Sequence, residues 1–414
     1  MALAVEDITT DHVIDPDRYA TSGYPHEAWS VLRREAPLHW FSLGQRPGFW
    51  AVTRRADIVS LSKQPTRFIN APRLAVFADS PSPNSRSDGP LLNHLLNMDP
   101  PVHATFRNVA SSWFTPRAIG RRRPEVERIT RELLDGLAKR DHADFVMDVA
   151  APLTLSVLAD MLGVPREDWE RLFDWTNRVA GSADPEFQEF EDTSVETMKK
   201  ARDEMFGYFL DLVAQRREQP RDDMTSVLAN SEIDGKPMPD FELLSYLLLL
   251  VVAGNETTRN AASGGLLALI ENPGAMERLR GAPELVNSAV EETVRWTSPV
   301  IQFCRTATED ALIHGQQVRA GESLCLFYGS ANRDEDVFEA PNEFRVDRKP
   351  NPHVGFGIGE HFCLGANLAR LELRVIYEQL IPRLQHVELA GPFVRMRSSL
   401  LGGVKRMPIR YALS

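Results

Sequence analysis

Apolar residues recur at three-and-four spacing through most of residues 124–230, most clearly in Val126 to Leu137, Leu153 to Leu162 and Met198 to Val213. That period predicts helices with one face in a core. Further helices are expected at His26 to Glu35 and Pro283 to Trp296, the second ended by Thr297-Ser298-Pro299. The longest apolar helix is predicted from Asp240 to Ile270. Short β-type runs occupy Trp50 to Thr53, Val300 to Arg305, Ala311 to His314, Val318 and Leu324 to Tyr328, and two more lie around Val387 and Ile409. Asn70 to Pro90 carries turn residues throughout, and Pro341, Pro350 and Pro352 keep the approach to Cys363 from being helical. Asp99 is placed to cap a helix opened by Pro100-Pro101. The pattern as a whole is mainly α with small β-sheets, an α+β chain.

Two places break the pattern. In the long helix, Ala253-Gly254-Asn255-Glu256-Thr257-Thr258-Arg259 puts glycine, an acid and two β-branched alcohols where apolar residues are expected. Ala253 and Thr257, one turn apart, make a small-residue notch with a hydroxyl at its rim, and Glu256 points to the neighbouring side. The competing reading is a kinked core helix with Thr257 bonded back to its own backbone. The second break is His353 to Gly365, a glycine-rich loop that delivers Cys363 to the start of a helix at Ala366, where a thiolate is favoured. A dinucleotide-binding loop is excluded here, because Lys349-Pro350-Asn351-Pro352 stands where an apolar strand is required. A zinc site using His361 and Cys363, a cysteine nucleophile and a thiolate-held haem all remain open. His103 and Arg107 share one helical face that suits either an anion or a solvated basic edge.

Composition narrows the classes. With 43% hydrophobic and 25% charged residues the 414-residue chain is ordinary and globular, and its net charge of -11 argues against nucleic acid as the main partner. Three cysteines without CxxC spacing make neither a disulfide framework nor a zinc cluster, so a cytoplasmic location is expected. Met1 to Ala20 is acidic and unlike a signal peptide, and the apolar run Leu247 to Gly254 is shorter than the roughly 20 residues a membrane span needs.

At these residues the chain resembles the cytochrome P450 family. The haem loop of its bacterial members is matched by Phe356, Gly357, Gly359, His361, Cys363 and Gly365; the acid-alcohol motif by Ala253 to Thr258; and the Glu-x-x-Arg pair by Glu292 and Arg295, all in the family's order. The resemblance implies a triangular prism of helices around a buried heme b, one domain over residues 1–414, with a small β-rich lobe at 24–70 and 299–328 plus a C-terminal hairpin. It implies Cys363 as the iron ligand and His103, Arg107, Arg305 and His361 at the haem carboxylates. Ala253 and Gly254 join Thr257 in the oxygen notch. Thr257 then stabilises oxygen part-way through its reduction, and Glu256 belongs to the proton-delivery path. Glu292 and Arg295 form a structural pair. Relatives complete that pair with an arginine where Glu343 stands here, and Arg345 or Arg333 is the expected substitute.

The activity so implied is monooxygenation of a hydrophobic molecule by a monomer, with electrons from a ferredoxin and its reductase docked at Arg117, Arg121, Arg122, Arg123 and Arg370. The alternatives are a haem-thiolate enzyme without redox partners and a haem sensor. Local motifs look most like hydroxylases of branched lipids and sterol side chains. An apolar lining of Phe77, Leu91, Leu92, Leu95, Leu249, Val300, Ile301, Phe303, Leu400 and Leu401 suits a terpenoid, sterol or fatty chain.

Overall fold

A computed structural model of the chain describes residues 3–78, 92–188 and 192–414. Its longest element is the central helix Asp240–Glu271, one residue longer than the periodic run. Asp240 and Glu242 sit in its first turn, where the helix dipole favours acids, and Asn272-Pro273 ends it. The helix is buried on nearly every side because it packs against Ala151–Leu162, Trp169–Ala180 and Ser194–Glu218 as well as Val286–Thr297 and Ala366–Leu380. Its polar interruption is absorbed by two of those neighbours. Asn255 accepts from Thr154 Oγ1 at 2.8 Å and donates to Thr176 Oγ1 at 3.0 Å, and Arg259 donates to Asn177 Oδ1 at 3.1 Å. Each buried polar group that finds such a partner avoids a desolvation cost of about 1–3 kcal/mol.

The main sheet has five strands in the order Leu38–Leu43, Arg46–Val52, Ser323–Phe327, Gln302–Ala307 and Phe68–Ile69, with one parallel pairing between the second and third. Alternation along the strands sends successive side chains to opposite faces. Phe49, Ala51, Cys325 and Phe327 join one apolar cluster, while Trp50, Val52, Leu324 and Leu326 join another. The segments around Val387 and Ile409 are strands Leu384–Leu389 and Pro408–Leu413, paired with each other. A third strand on that sheet, His142–Asp144, and the hairpin Glu232–Ile233 with Lys236–Pro237 carry too few residues to show a period.

Two expectations are corrected. Asp99 does not cap the helix Val102–Ser111 with its carboxylate; its Oδ1 and Oδ2 accept the backbone N–H groups of Asn70 and Ala71 at 2.6 and 3.0 Å, pinning a distant loop instead. The pair Glu292 and Arg295 is completed neither by Arg345 nor by Arg333 but by Arg348. Glu292 is fully buried and takes Nε of Arg295 at 2.7 Å and Nε of Arg348 at 3.0 Å. Arg345 contributes only its backbone N–H, 2.8 Å from Glu292 Oε1, and Arg333 stacks on Trp296 at 3.5 Å. The remaining guanidinium donors of Arg295 and Arg348 reach the carbonyls of Asn332, Glu339, Ala340, Pro341 and Glu343. Loop Asn332 to Glu343 is thereby bound to the helix Val286–Thr297.

Removing one member of such a buried network strands the others, at a cost of about 3–5 kcal/mol. Arg348→Leu is therefore expected to lower the urea unfolding free energy by about that amount, and Arg345→Ala by less than about 1 kcal/mol. Equal effects of the two substitutions would contradict the assignment.

Candidate active site

A cavity of about 410 Å³ is enclosed by the central helix, the Cys363 loop, residues 92–97, the start of strand Gln302–Ala307 and the C-terminal residues 398–401. Cys363 opens onto it. The backbone N–H of Cys363 donates to Phe356 O at 2.8 Å, closing the loop on itself, and the helix Ala366–Leu380 follows with Gly365 at its cap. Gly359 is required where it stands: its φ is +75°, and a Cβ there would lie 2.3 Å from the carbonyl oxygen of Ser62. Gly357 is likewise left-handed, at +69°, whereas Gly365 has an ordinary φ of -81°. Burial pushes the Cys363 thiol up, while the Gly365 N–H and the charges of Arg107 and Arg370 pull it down. The loop is braced from outside, where Arg370 stacks on Phe356 at 4.4 Å and holds Glu291 at 2.6 Å.

Across the cavity, Thr257 donates to Ala253 O at 2.8 Å, the backbone bond expected of the competing reading, yet both residues also line the cavity. The notch and the back-bond are one arrangement. Gly254 lines it too, but a Cβ there would meet Leu158 at 3.1 Å, so its smallness lets two helices approach. Glu256 does not reach the cavity. It is fully buried on the side of Arg259, with which it forms an ion pair, and burial raises its pKa against the opposing charge of Arg259.

A cluster of donors converges on the same space. His103 and His361 lie with ring centroids 4.1 Å apart, and the Nε2 of each is buried without a hydrogen-bond partner among the described residues. Arg107 donates to Phe362 O at 2.7 Å and Arg305 to Cys304 O at 2.8 Å, which leaves most of the five N–H groups of each guanidinium for something else. Spare guanidinium N–H groups and unpartnered ring nitrogens beside a thiol are what a dianionic, metal-bearing ligand would satisfy.

The comparisons with known proteins decide the family. The chain matches the cytochrome P450 family over residues 44–282 and 283–400. The chain belongs to the cytochrome P450 family. It is 36% identical to linalool 8-monooxygenase of Pseudomonas putida over 399 residues, covering 95% of this chain and 97% of that one. With the steroid C26-monooxygenase of Rhodococcus jostii it shares 37% identity over 409 residues, covering 96% and 84%. The crystal structure of CYP108D1 from Novosphingobium aromaticivorans superposes with a TM-score of 0.88 at 34% identity and full coverage of both chains. Haem is the cofactor of this family, and the orphaned His103 and His361 nitrogens and the spare arginine donors fit its carboxylates.

In this P450 the expected lining residues Phe77, Leu92, Leu95, Leu249, Val300, Phe303, Leu400 and Leu401 all face the cavity. Ile301 does not: it is fully buried in the cluster of Phe49 and Phe327, because alternation after Val300 turns it to the other face. Leu91 lies outside the described residues. Lining contributed by Val179, Ser182, Val195, Met198 and Ser399 had no sequence signal, since these stand at helix ends and in a C-terminal loop remote in the chain.

Burial pushes Glu291 up, but hydrogen bonds from Arg370 and His353 outweigh it and hold the carboxyl at about 2. A depressed folded-state pKa stabilises above the unfolded value near 4.3, and that contribution is lost as pH falls toward 2. The slope of stability between pH 5.5 and 3.5, measured by urea unfolding, is expected to be shallower in Glu291→Gln, the stability lost across that interval being smaller by up to about 1 kcal/mol once solvent screening is allowed for. An unchanged slope would remove Glu291 from the brace.

Proposed function

We propose that this P450 is a haem-thiolate monooxygenase that inserts one oxygen atom of O2 into a C–H bond of a hydrophobic substrate, RH + O2 + 2e⁻ + 2H⁺ → ROH + H2O. The observation that carries it is one apolar cavity lined by Cys363, Thr257, His103 and His361. Bound heme b supplies the dioxygen activation that no amino-acid side chain can perform. Cys363 would hold its iron as a thiolate, an electron-donating ligand. His103, Arg107, Arg305 and His361 would hold its carboxylates, and Phe356, Gly357 and Gly365 would let the loop approach it.

Thr257 gives its own proton to Ala253 O, which leaves its oxygen lone pairs to accept a hydrogen bond inside the cavity. Glu256, one residue away, keeps its Oε1 without a partner among the described residues, and burial favours its protonated form. We read it as an ionisable group that joins the proton path when its ion pair with Arg259 opens. The apolar lining, and the relatives named for linalool and for steroid C26, support a branched lipid, terpenoid or sterol side chain as substrate.

Two electrons per turnover are read as coming from a ferredoxin served by its reductase. The region Ser112 to Arg123 lies over the start of the Cys363 helix, where Asn367 donates to Phe114 O at 2.9 Å. Of the five arginines expected to receive the partner, Arg122 is held by Asp160, Arg123 by Glu127 and Glu378, and Arg370 by Glu291. Arg117 and Arg121 are exposed and form no ion pair among the described residues, so the docking charge narrows to them.

The direct test is the reduced, carbon-monoxide-bound spectrum of the haem-loaded protein, in which a red-shifted thiolate Soret band is expected; its absence would sink the reading. In a reconstituted ferredoxin assay, Arg117→Glu with Arg121→Glu should slow reduction at least about 10-fold and flatten its salt dependence. Thr257→Ala should leave reduction alone and divert most reducing equivalents to hydrogen peroxide. Tight coupling in Thr257→Ala would remove Thr257 from its role, and unaltered reduction kinetics in the double mutant would move the docking site elsewhere.

A further inference from the structure

Charge around the cavity is distributed unevenly. Among the described lining residues there is no Asp, Glu or Lys, and the only arginines are Arg107 and Arg305, both assigned above to the haem carboxylates. Among the described lining residues no further arginine or lysine is left for a second carboxylate and no acid for an amine, and burial keeps His94, which also lines the cavity, neutral by lowering its pKa to about 4. Cations near the turn that brings Ser182 and Ala183 to the cavity are already matched: Lys405 lies 2.8 Å from Asp184 and 2.8 Å from Glu186, and Arg397 lies 2.6 Å from Asp17. On the other flank Arg73 and Arg46 donate to backbone carbonyls, those of Pro47 and Gly48 and that of Phe77 respectively, and neither lines the cavity.

The described wall offers several neutral, buried hydroxyls, those of Ser398, Ser399, Thr258 and Tyr328, the last of them beside Arg305. Ser399 is 3% exposed and lines the cavity; its carbonyl accepts from Gln302 Nε2 at 3.3 Å, but its hydroxyl engages no hydrogen-bond partner among the described residues. Its neighbour Ser398 shows the contrast, since that hydroxyl accepts the N–H groups of Leu400 and Leu401 at 3.1 Å each. Ser182 and Thr258 also line the cavity, but Ser182 sits half-buried on a turn and Thr258 adjoins Thr257 on the oxygen side. Ser399 instead precedes Leu400 and Leu401, of which Leu401 bridges to Val300, on an apolar part of the wall.

We propose that the cavity selects an uncharged substrate, an apolar skeleton bearing a hydroxyl or carbonyl oxygen that hydrogen-bonds the Ser399 hydroxyl. The proposal rests on the monooxygenase reading and specifies its substrate class. An ionised carboxylate drawn into this lining would lose its hydration with no partner to replace it, whereas an alcohol or ketone loses one or two hydrogen bonds and regains one at Ser399. A free fatty acid is therefore excluded from the interior, while a terpenoid or sterol alcohol of the same skeleton is admitted. Discrimination of this kind comes from the absence of a charge as much as from the presence of a donor.

Three probes with one carbon skeleton test it: farnesol, farnesoic acid and β-farnesene, titrated into the haem-loaded protein at pH 8 and followed by the substrate-induced Soret shift. Farnesol is expected to bind at least about 10-fold more tightly than farnesoic acid. Ser399→Ala should weaken farnesol about 5- to 10-fold while leaving β-farnesene unchanged, and Ser399→Thr, which keeps the hydroxyl, should restore the difference. Farnesoic acid binding as tightly as farnesol, through Arg46, Arg73 or any other cation, overturns the proposal. So does a Ser399→Ala variant that affects alcohol and hydrocarbon alike, or a holoprotein that shifts with none of the three. A protein lacking the thiolate Soret band fails the function reading instead, which separates the two failures.

Discussion

One buried carboxylate, Glu292, holds two guanidiniums, and the route to Cys363 depends on it. The segment from Asn332 to Pro352 has few backbone hydrogen bonds of its own, so its carbonyls must find donors elsewhere. Arg295 and Arg348 supply them, each anchored by the same carboxylate and each spending its spare N–H groups on that segment. The network carries one more positive than negative charge, an excess that the surrounding carbonyl dipoles accommodate. Burying so many polar groups is tolerable only because almost every one is paired, and a partial network would be worse than an apolar core.

From that anchored segment the chain enters the glycine loop, where the close pass of Gly359 by Ser62 and the Cys363 to Phe356 bond determine the position of the sulfur. The central helix faces it with two chemistries on two sides. Toward the cavity it shows Ala253 and Thr257; away from it, Asn255, Glu256 and Arg259 knit the helix to Ala151–Leu162 and Trp169–Ala180. The same interruption that weakens helix propensity is thus what fixes the helix in place, leaving its small residues exposed to the cavity.

Electrostatics then divide the cavity. Polar groups gather at His103, Arg107, Arg305 and His361, the residues proposed to meet the haem carboxylates, and the rest of the described lining carries no formal charge. With the ion pairs at Asp184 and Lys405 matched outside, the interior is suited to a molecule whose polarity is limited to a neutral oxygen.

Local spacing singled out several candidate residues, and the family resemblance gave them roles. Cys363 on its glycines, Thr257 one turn from Ala253 and Glu292 three residues from Arg295 are short-range patterns, and the long helix followed from periodicity alone. Other features depended on where distant segments meet. Arg348 rather than Arg345 or Arg333 reaches Glu292 because the irregular loop folds back over that helix; Ile301 turns from the cavity because one step along a strand reverses its face; Asp99 serves residues 70 and 71 in place of its own helix. Ser399, Ser182 and Met198 line the cavity through helix ends and a loop brought together only by the fold. The sequence by itself singled out Cys363, Thr257 and the Glu292–Arg295 pair, since each departs from its surroundings within a few residues, and tertiary structure decided which surfaces they share, since that is set by contacts between residues far apart in the chain.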